Sequence, residues 1–327
     1  MGDGCNPPRQ DGVTLTFVAQ GGAYQDAQRR AWEQPYTELT GVQFVNDENS
    51  SNATIRAQAT SGQVTWDVVD VGSDFGLDAH KDVLEPLDYG LIPRDEINPD
   101  LGVTDYRVPI ITYGTVLAAN TDATGGQTPA GWADFFDTST FPGKRGVWDY
   151  STGGALEIAL LADGVAPADL YPLDLERAMT KLDIIKDDIV FWTSGAQSRE
   201  LIGSGEVAMS MMWNGRAWFA INEDKRPVDV QWNQQIVRAD YLVVPKGTPN
   251  RDSAMRLIAW ITCAENNAAI STYIPYGPTN VNAEPDPAMV ADLPLSHVDE
   301  NTAYFDDAYL IEHAEELDAA WQDWKSR

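Results

Sequence analysis

A short apolar run that stops at a small-residue turn and resumes as a helical pattern recurs along this chain, and that recurrence constrains the fold more than composition does. Residues 13–20 (VTLTFVAQ) alternate apolar and polar side chains, the period of a half-buried strand. Gly21 and Gly22 break the run, and residues 23–39 then carry helical character. Residues 41–45 read as a second short strand and 52–61 as a helix with a polar start. Residues 66–71 (WDVVDV) form a third, almost wholly apolar strand that ends at Gly72, Ser73 and Asp74. Strand, helix, strand, helix, strand predicts an α/β architecture with a parallel or mixed sheet and crossover helices. Ligands of such sheets lie beyond the carboxyl ends of the strands, so Gln20, Gly21, Gly22, Gly72, Ser73 and Asp74 are expected to face one crevice. The Gly-Gly turn can present backbone N–H groups at a helix N-terminus, or it can be a plain strand-to-helix turn. It is not a phosphate loop, because GxxxxGK(S/T) is missing.

The second half repeats the theme. Residues 108–120 (VPIITYGTVLAAN) make a run longer than the usual strand, with Gly114 in its middle, which suggests a bend or a crossing between lobes. A strand at 146–150 delivers Ser151, Thr152, Gly153 and Gly154 to a helix at 155–163, a good place to receive a carboxylate. Between 206 and 241 an apolar run ends in Trp213-Asn-Gly-Arg216, a helix-like piece follows, and a second run carries Trp232 and then Asp240. Arg216 can clamp a carboxylate and Asp240 can take an ammonium; without a ligand the two can equally form a salt bridge. Trp213 and Trp232 can stack on a ligand body or belong to the core. Residues 253–272 read as one amphipathic helix carrying Cys263. The loop YIPYGPTN fixes Tyr276, and a C-terminal helix or helix pair puts Trp321 and Trp324 on its apolar face.

A chain of 327 residues exceeds the usual size of one core and predicts two lobes. A formal charge of −28 argues against nucleic acid and against docking on anionic lipid. His80, His297 and His313 sit in no motif, and GxSxG, HExxH and CxxC are missing, so neither an enzyme nor a metal or cofactor site is expected. No apolar run approaches the ~18–20 residues of a membrane helix. The polar start lacks the features of a secretory signal, which fits either a cytoplasmic protein or a chain whose signal has been removed. Cys5 and Cys263 can form one bridge or remain buried or free, and Cys5 is also placed where a lipid-attachment cysteine would lie.

The chain resembles the substrate-binding proteins of ABC importers in the spermidine/putrescine cluster, on the Gly-Gly turn, WDVVDVGS, VPIITYGTVLAANTD, GWADFFD, MMWNGR, ADYLVVPKGTPN and IPYGPTN. The resemblance implies a type II periplasmic-binding fold. Two lobes, 12–117 with 241–283 and 118–240 with 284–327, would each hold a mixed sheet flanked by helices. They would be joined by two hinge crossovers near 113–117 and 240–243, and would close on ligand. It maps cation-binding positions onto Trp213, Trp232, Asp240 and Tyr276, with Gln20 to Gly22 and Gly72 to Ser73 lining the other lobe. The polyamine pattern is departed from where Ser151, Thr152, Gly153 and Gly154 replace acidic residues and where Arg216 follows Trp-Asn-Gly. At an effective dielectric near 20 and ~6 Å, an arginine beside a ligand ammonium costs roughly 3 kcal/mol. STGGALEIALLADG and WNGR resemble the subgroup that binds γ-aminobutyrate-like zwitterions. The expected ligand is therefore a small amino acid or ω-amino acid, with Arg216, Ser151, Thr152 and the Gly153 backbone on its carboxylate and Asp240 on its ammonium. A polyamine and an organic acid are the alternatives. The implied partners are the permease subunits of an ABC importer. The implied state is a monomer in the periplasm or outside the cell, either free or membrane-tethered.

Overall fold

A computed structural model describes residues 3–327, and the chain divides into two compact units. The first holds the chain up to Thr112 together with Ala239–Leu293; the second holds Tyr113–Arg238 and Pro294–Arg327. The strands among the described residues are β1 (Thr14–Val18), β2 (Gln43–Asp47), β3 (Val68–Val71), β4 (Val108–Asn120), β5 (Arg145–Trp148), β6 (Ile189–Trp192), β7 (Met209–Trp213), β8 (Val228–Val243) and β9 (Ala303–Tyr304).

In the first unit β1 pairs in parallel with β2 and β3, and β3 runs antiparallel to the end of β8, with Asp70 opposite Leu242 and Val71 opposite Tyr241. Alternation along these strands sends Val69, Val71, Ala239, Tyr241 and Val243 into one core with Val18, Ile55 and Phe75. Asp70, Leu242 and Asp240 are left on the opposite face. The helical stretch expected at 23–39 is three pieces: Gly22–Gln28, a π-turn at Arg29–Glu33, and Gln34–Thr40, which stops at Gly41 in the left-handed region. The single helix expected at 253–272 is broken into Arg251–Ile261 and Ala264–Ala268. The break falls at Cys263, whose backbone is extended and whose sulfur is bonded to Cys5. The bridge occupies the Cys5 sulfur, so a lipid thioether there is excluded. Gly4 is pressed onto the same helix; a β-carbon there would lie 2.5 Å from the Leu91 carbonyl oxygen and 2.8 Å from Ala259 Cβ.

In the second unit β4 is antiparallel to β7, β5 is parallel to both β7 and β6, and β9 adds to β8 at Ile236 and Val237. Trp132, Leu156, Trp192, Met212, Trp321 and Trp324 share one core. Trp321 and Trp324 thus lie buried, as expected, and their indole N–H groups donate to Asp149 and Asp183 at 3.1 and 2.7 Å.

The unit boundaries differ from those read from sequence. Residues 115–119 pair with β7 and so go with the second unit, whereas Ala239 packs with Tyr241 and Val243 and carries Asp240 into the first. Residues 284–293 also go with the first unit. Asp240 and Arg216 therefore belong to different units, where the sequence reading had placed both on one lobe.

His80 is buried against the Phe75 ring at 4.1 Å, and its Nδ1 has no partner among the described residues. Burial, with the Arg56 charge adding to it, pushes the imidazole down to about 4. A folded-state value below the unfolded one gives stability that is present above pH ~6.5 and lost as pH falls towards 4. His80→Phe should remove about 3 kcal/mol of the acid sensitivity between pH 7 and 4 in urea titrations. Parallel pH profiles for the two proteins would contradict this.

Candidate functional site

The second unit assembles a cation against indoles. Arg216 lies in the first turn of the helix Asn214–Asn222, directly after β7, and is 3% exposed. Gly195 sets its place. A β-carbon there would come within 2.4 Å of Arg216 Nε and 3.0 Å of the Trp213 ring, so glycine is needed for this approach. Trp213 stands edge-on to Trp148 and Trp192, with centroids 5.0 and 5.4 Å away, and those two stack on each other at 5.6 Å. The 151–154 turn packs close to Trp148, where a β-carbon on Gly153 would lie 2.8 Å from the indole.

That turn joins β5 to the helix Ala155–Ala162 and buries Ser151 and Thr152. The Gly153 N–H donates to the Tyr150 carbonyl at 2.9 Å, so the backbone donor expected for a ligand carboxylate is already engaged. The Thr152 carbonyl accepts from Arg238 Nη2 at 2.9 Å, while Thr152 Oγ1 has no partner among the described residues. Arg238 lies over the Phe305 ring at 3.6 Å. Beside it the buried Glu157 accepts from the Tyr171 hydroxyl at 2.8 Å, and burial holds the Glu157 carboxyl above its usual range.

Trp232 does not join Trp213. It stacks on His297 at 4.0 Å and 8°, and it lies where a β-carbon on Gly114 would point, together with Gln235. Tyr113, the preceding residue of β4, turns its ring to Trp213 instead. Successive side chains of a strand point to opposite faces, so the two indoles expected to wall in one ligand flank opposite faces of β4.

The first unit gathers carboxylates and tyrosines. Tyr276 is 2% exposed and meets Tyr24 edge-on at 5.3 Å. The Tyr24 hydroxyl donates to Asp70 Oδ2 at 2.7 Å, and Gln28 Nε2 donates to the same oxygen. Burial, followed by the charges of Asp70 and Asp240, pushes the Tyr24 hydroxyl well up, which puts both carboxylates near one phenol. Asp70 is fully buried, and burial raises its carboxyl to about 7. Of the glycine turns, Gly21 and Gly22 are left-handed and the Gly21 N–H donates to Gln25 Oε1, while Gln20 is exposed. Gly72 is half-buried; Ser73 is buried, its carbonyl accepting from Arg107 and its Oγ without a partner among the described residues.

Tyr24, Gln28, Asp70, Trp148, Trp192 and Glu157 were not singled out by sequence reasoning. Two of them carried a signal: an aspartate inside the apolar WDVVDV and a glutamate inside ALEIALLA. A carboxylate in a run that must be buried is costly unless something compensates it.

Residues 31–296 match the family model described as bacterial extracellular solute-binding protein. The chain belongs to this family. This solute-binding protein is 33% identical to the γ-aminobutyric acid-binding protein of Pseudomonas aeruginosa over 96% of its own length and 91% of the relative's. Identity to the spermidine/putrescine-binding periplasmic protein of Escherichia coli is 24%, over 76% of this chain and 73% of that one. Among solved structures, a γ-aminobutyrate receptor superposes with TM-score 0.87 at 40% identity, covering 97% of this chain and 98% of the other. A periplasmic binding protein from A. tumefaciens in complex with agropinic acid superposes with TM-score 0.89 at 32% identity, covering 97% and 100%. The fold of the solute-binding protein is the type II periplasmic-binding fold, as the sequence resemblance implied. Its family carries small-molecule ligands and is not a family of enzymes. Among the described residues no helix is long and apolar enough to cross a membrane, and no cluster of metal-ligating side chains occurs.

Proposed function

We propose that this solute-binding protein receives a small zwitterion outside the cytoplasm, γ-aminobutyrate or a similar ω-amino acid, and delivers it to the permease subunits of an ABC importer. The observation that carries the reading is the buried guanidinium set against indoles in the second unit. The buried Arg216 belongs to the second unit, and the buried carboxylates Asp70 and Asp240 belong to the first. Arg216 suits a ligand that carries a carboxylate, and the carboxylates of the first unit suit one that carries an ammonium; a diamine would bring a like charge towards Arg216. Trp213 supplies the apolar surface beside the guanidinium, with Ser151 and Thr152 as hydroxyl donors at the acid end and Tyr276 at the amine end. Trp232, backed by His297, has no part in this wall. The relatives that bind γ-aminobutyrate support the same ligand class, and their identity exceeds that of the polyamine binders. Delivery as a monomer fits the family, and the charge of −28 keeps nucleic acid out of the partner set.

Isothermal titration with γ-aminobutyrate, putrescine, spermidine and malate tests the ligand. Binding of γ-aminobutyrate ahead of the other three is expected. Tight polyamine binding with no response to any zwitterion would reject the assignment.

A further inference from the structure

A buried carboxyl in the first unit has no counter-charge of its own. Asp70 is fully buried on β3, and its Oδ2 takes both hydrogen bonds, from Tyr24 and Gln28. Its Oδ1 has no partner, and no lysine or arginine pairs with it among the described residues. An ionised carboxylate so placed is expensive, and the usual resolution is to keep the proton.

The surroundings argue against a purely structural aspartate. The β3–β8 register places Asp70 opposite Leu242, so Asp240, two residues earlier in β8, projects from the same face as a diagonal neighbour. Tyr24 stands by both, bonded to Asp70 and within the field of Asp240, and its ring meets Tyr276. The groups facing Asp70 are thus the Tyr24 phenol and the Gln28 amide from the helix Gly22–Gln28, Asp240 from β8, and Tyr276 through Tyr24. None of these groups neutralises an Asp70 carboxylate, so the buried carboxyl favours holding its proton until a cation comes.

We propose that Asp70 is the proton-releasing member of the amine end of the site: its carboxyl stays neutral in the empty protein and ionises as the ligand's ammonium arrives. This rests on the ω-amino acid reading above. In the step the Asp70 O–H bond breaks heterolytically, the electron pair stays on the carboxylate and the proton goes to solvent. The ligand keeps its three ammonium hydrogens, so one positive charge replaces another beside Asp70. The same exchange gives selectivity. A neutral ligand of equal shape cannot drive out the proton, and Asp70 then offers it only a hydroxyl.

The raised Asp70 carboxyl, at about 7 in the empty protein, sets the window. If the bound state holds it well below that, affinity should rise about tenfold between pH 6 and pH 8 and level off above. γ-Aminobutyrate keeps the same charge state across this range, because ordinary carboxyl and amino groups titrate near 4 and about 10. Titration calorimetry at pH 7 in phosphate and in Tris, whose ionisation heats differ, should show about half a proton released per ligand bound. A flat affinity from pH 6 to 8 with no proton release would overturn the proposal while leaving the ligand assignment standing. Absence of γ-aminobutyrate binding at every pH would overturn both. Asp70→Asn should bind with pH-independent affinity and release no proton, and an unchanged pH slope in that variant would assign the proton to another group and overturn the role of Asp70. The wild-type measurement stands if the variant does not fold.

Discussion

Replacing Arg216 with alanine should weaken γ-aminobutyrate binding by about 2–5 kcal/mol, at least thirtyfold, because a carboxylate that loses a bidentate guanidinium in a buried setting keeps its desolvation cost. Putrescine binding should be unaffected or improved, since the like charge is gone. Arg216→Lys should fall between: the charge stays, but the planar fork held between Gly195 and Trp213 does not. Titration calorimetry on the three proteins, with circular dichroism to check folding, reads the result. Equal losses for the zwitterion and the diamine would show that Arg216 only props up the indoles of its unit. Such an outcome would remove the chief chemical reason for preferring a zwitterion.

The second large effect concerns the Cys5–Cys263 bridge, which spans a sequence separation of 258 residues. In the chain-entropy account a loop of that length stabilises by about 5 kcal/mol, and measured disulfides more often give about 2–4. Cys5→Ser with Cys263→Ser should therefore lower the stability of the first unit by several kcal/mol, enough to move its melting transition by on the order of ten degrees. Both sulfurs belong to that unit, so the transition of the Trp132 and Trp192 core in the second should stay in place. Calorimetric scans of the double variant, and of the wild type under reductant, should agree. A shift of less than a degree or two would mean that the packing of Gly4 on Leu91 and Ala259 holds the N-terminal turn without the bridge.

How far the sequence carried depended on whether a feature was local. The strand-turn-helix units were legible because period and punctuation are written within a dozen residues; β4 and the helix Asn52–Ser61 were read with their observed bounds. The break at Cys263 was not legible, because the bond that enforces it comes from residue 5. Asp240 was assigned to the wrong neighbours for a similar reason: β8 is 16 residues long and serves both units, and nothing in its sequence marks Ala239 as the change. The pairing of Trp213 with Trp232 rested on their closeness in sequence, whereas strand alternation at Tyr113 and Gly114 sends them to opposite faces. The Tyr24–Gln28–Asp70 set and the three-indole group are contacts between distant segments. Only the misplaced carboxylate in WDVVDV hinted at the first, and nothing hinted at the second.

The alternation of the two units along the chain also bears on how the protein is made. The segment up to Thr112 leaves the ribosome with β3 paired on one edge only, to β1, because Tyr241, Leu242 and Val243 of its other edge are still unsynthesised. At about 5–20 residues per second that wait is on the order of ten seconds, during which Val69 and Val71 lack the cover of Ala239, Tyr241 and Val243. The intervening stretch, Tyr113–Arg238, contains β5, β6 and β7 in one piece, yet Trp321 and Trp324 of its core arrive only with the last residues. Each unit thus waits for a late segment, the first for the end of β8 and the second for the helices that carry Trp321 and Trp324, so neither core closes before the last part of the chain has been made.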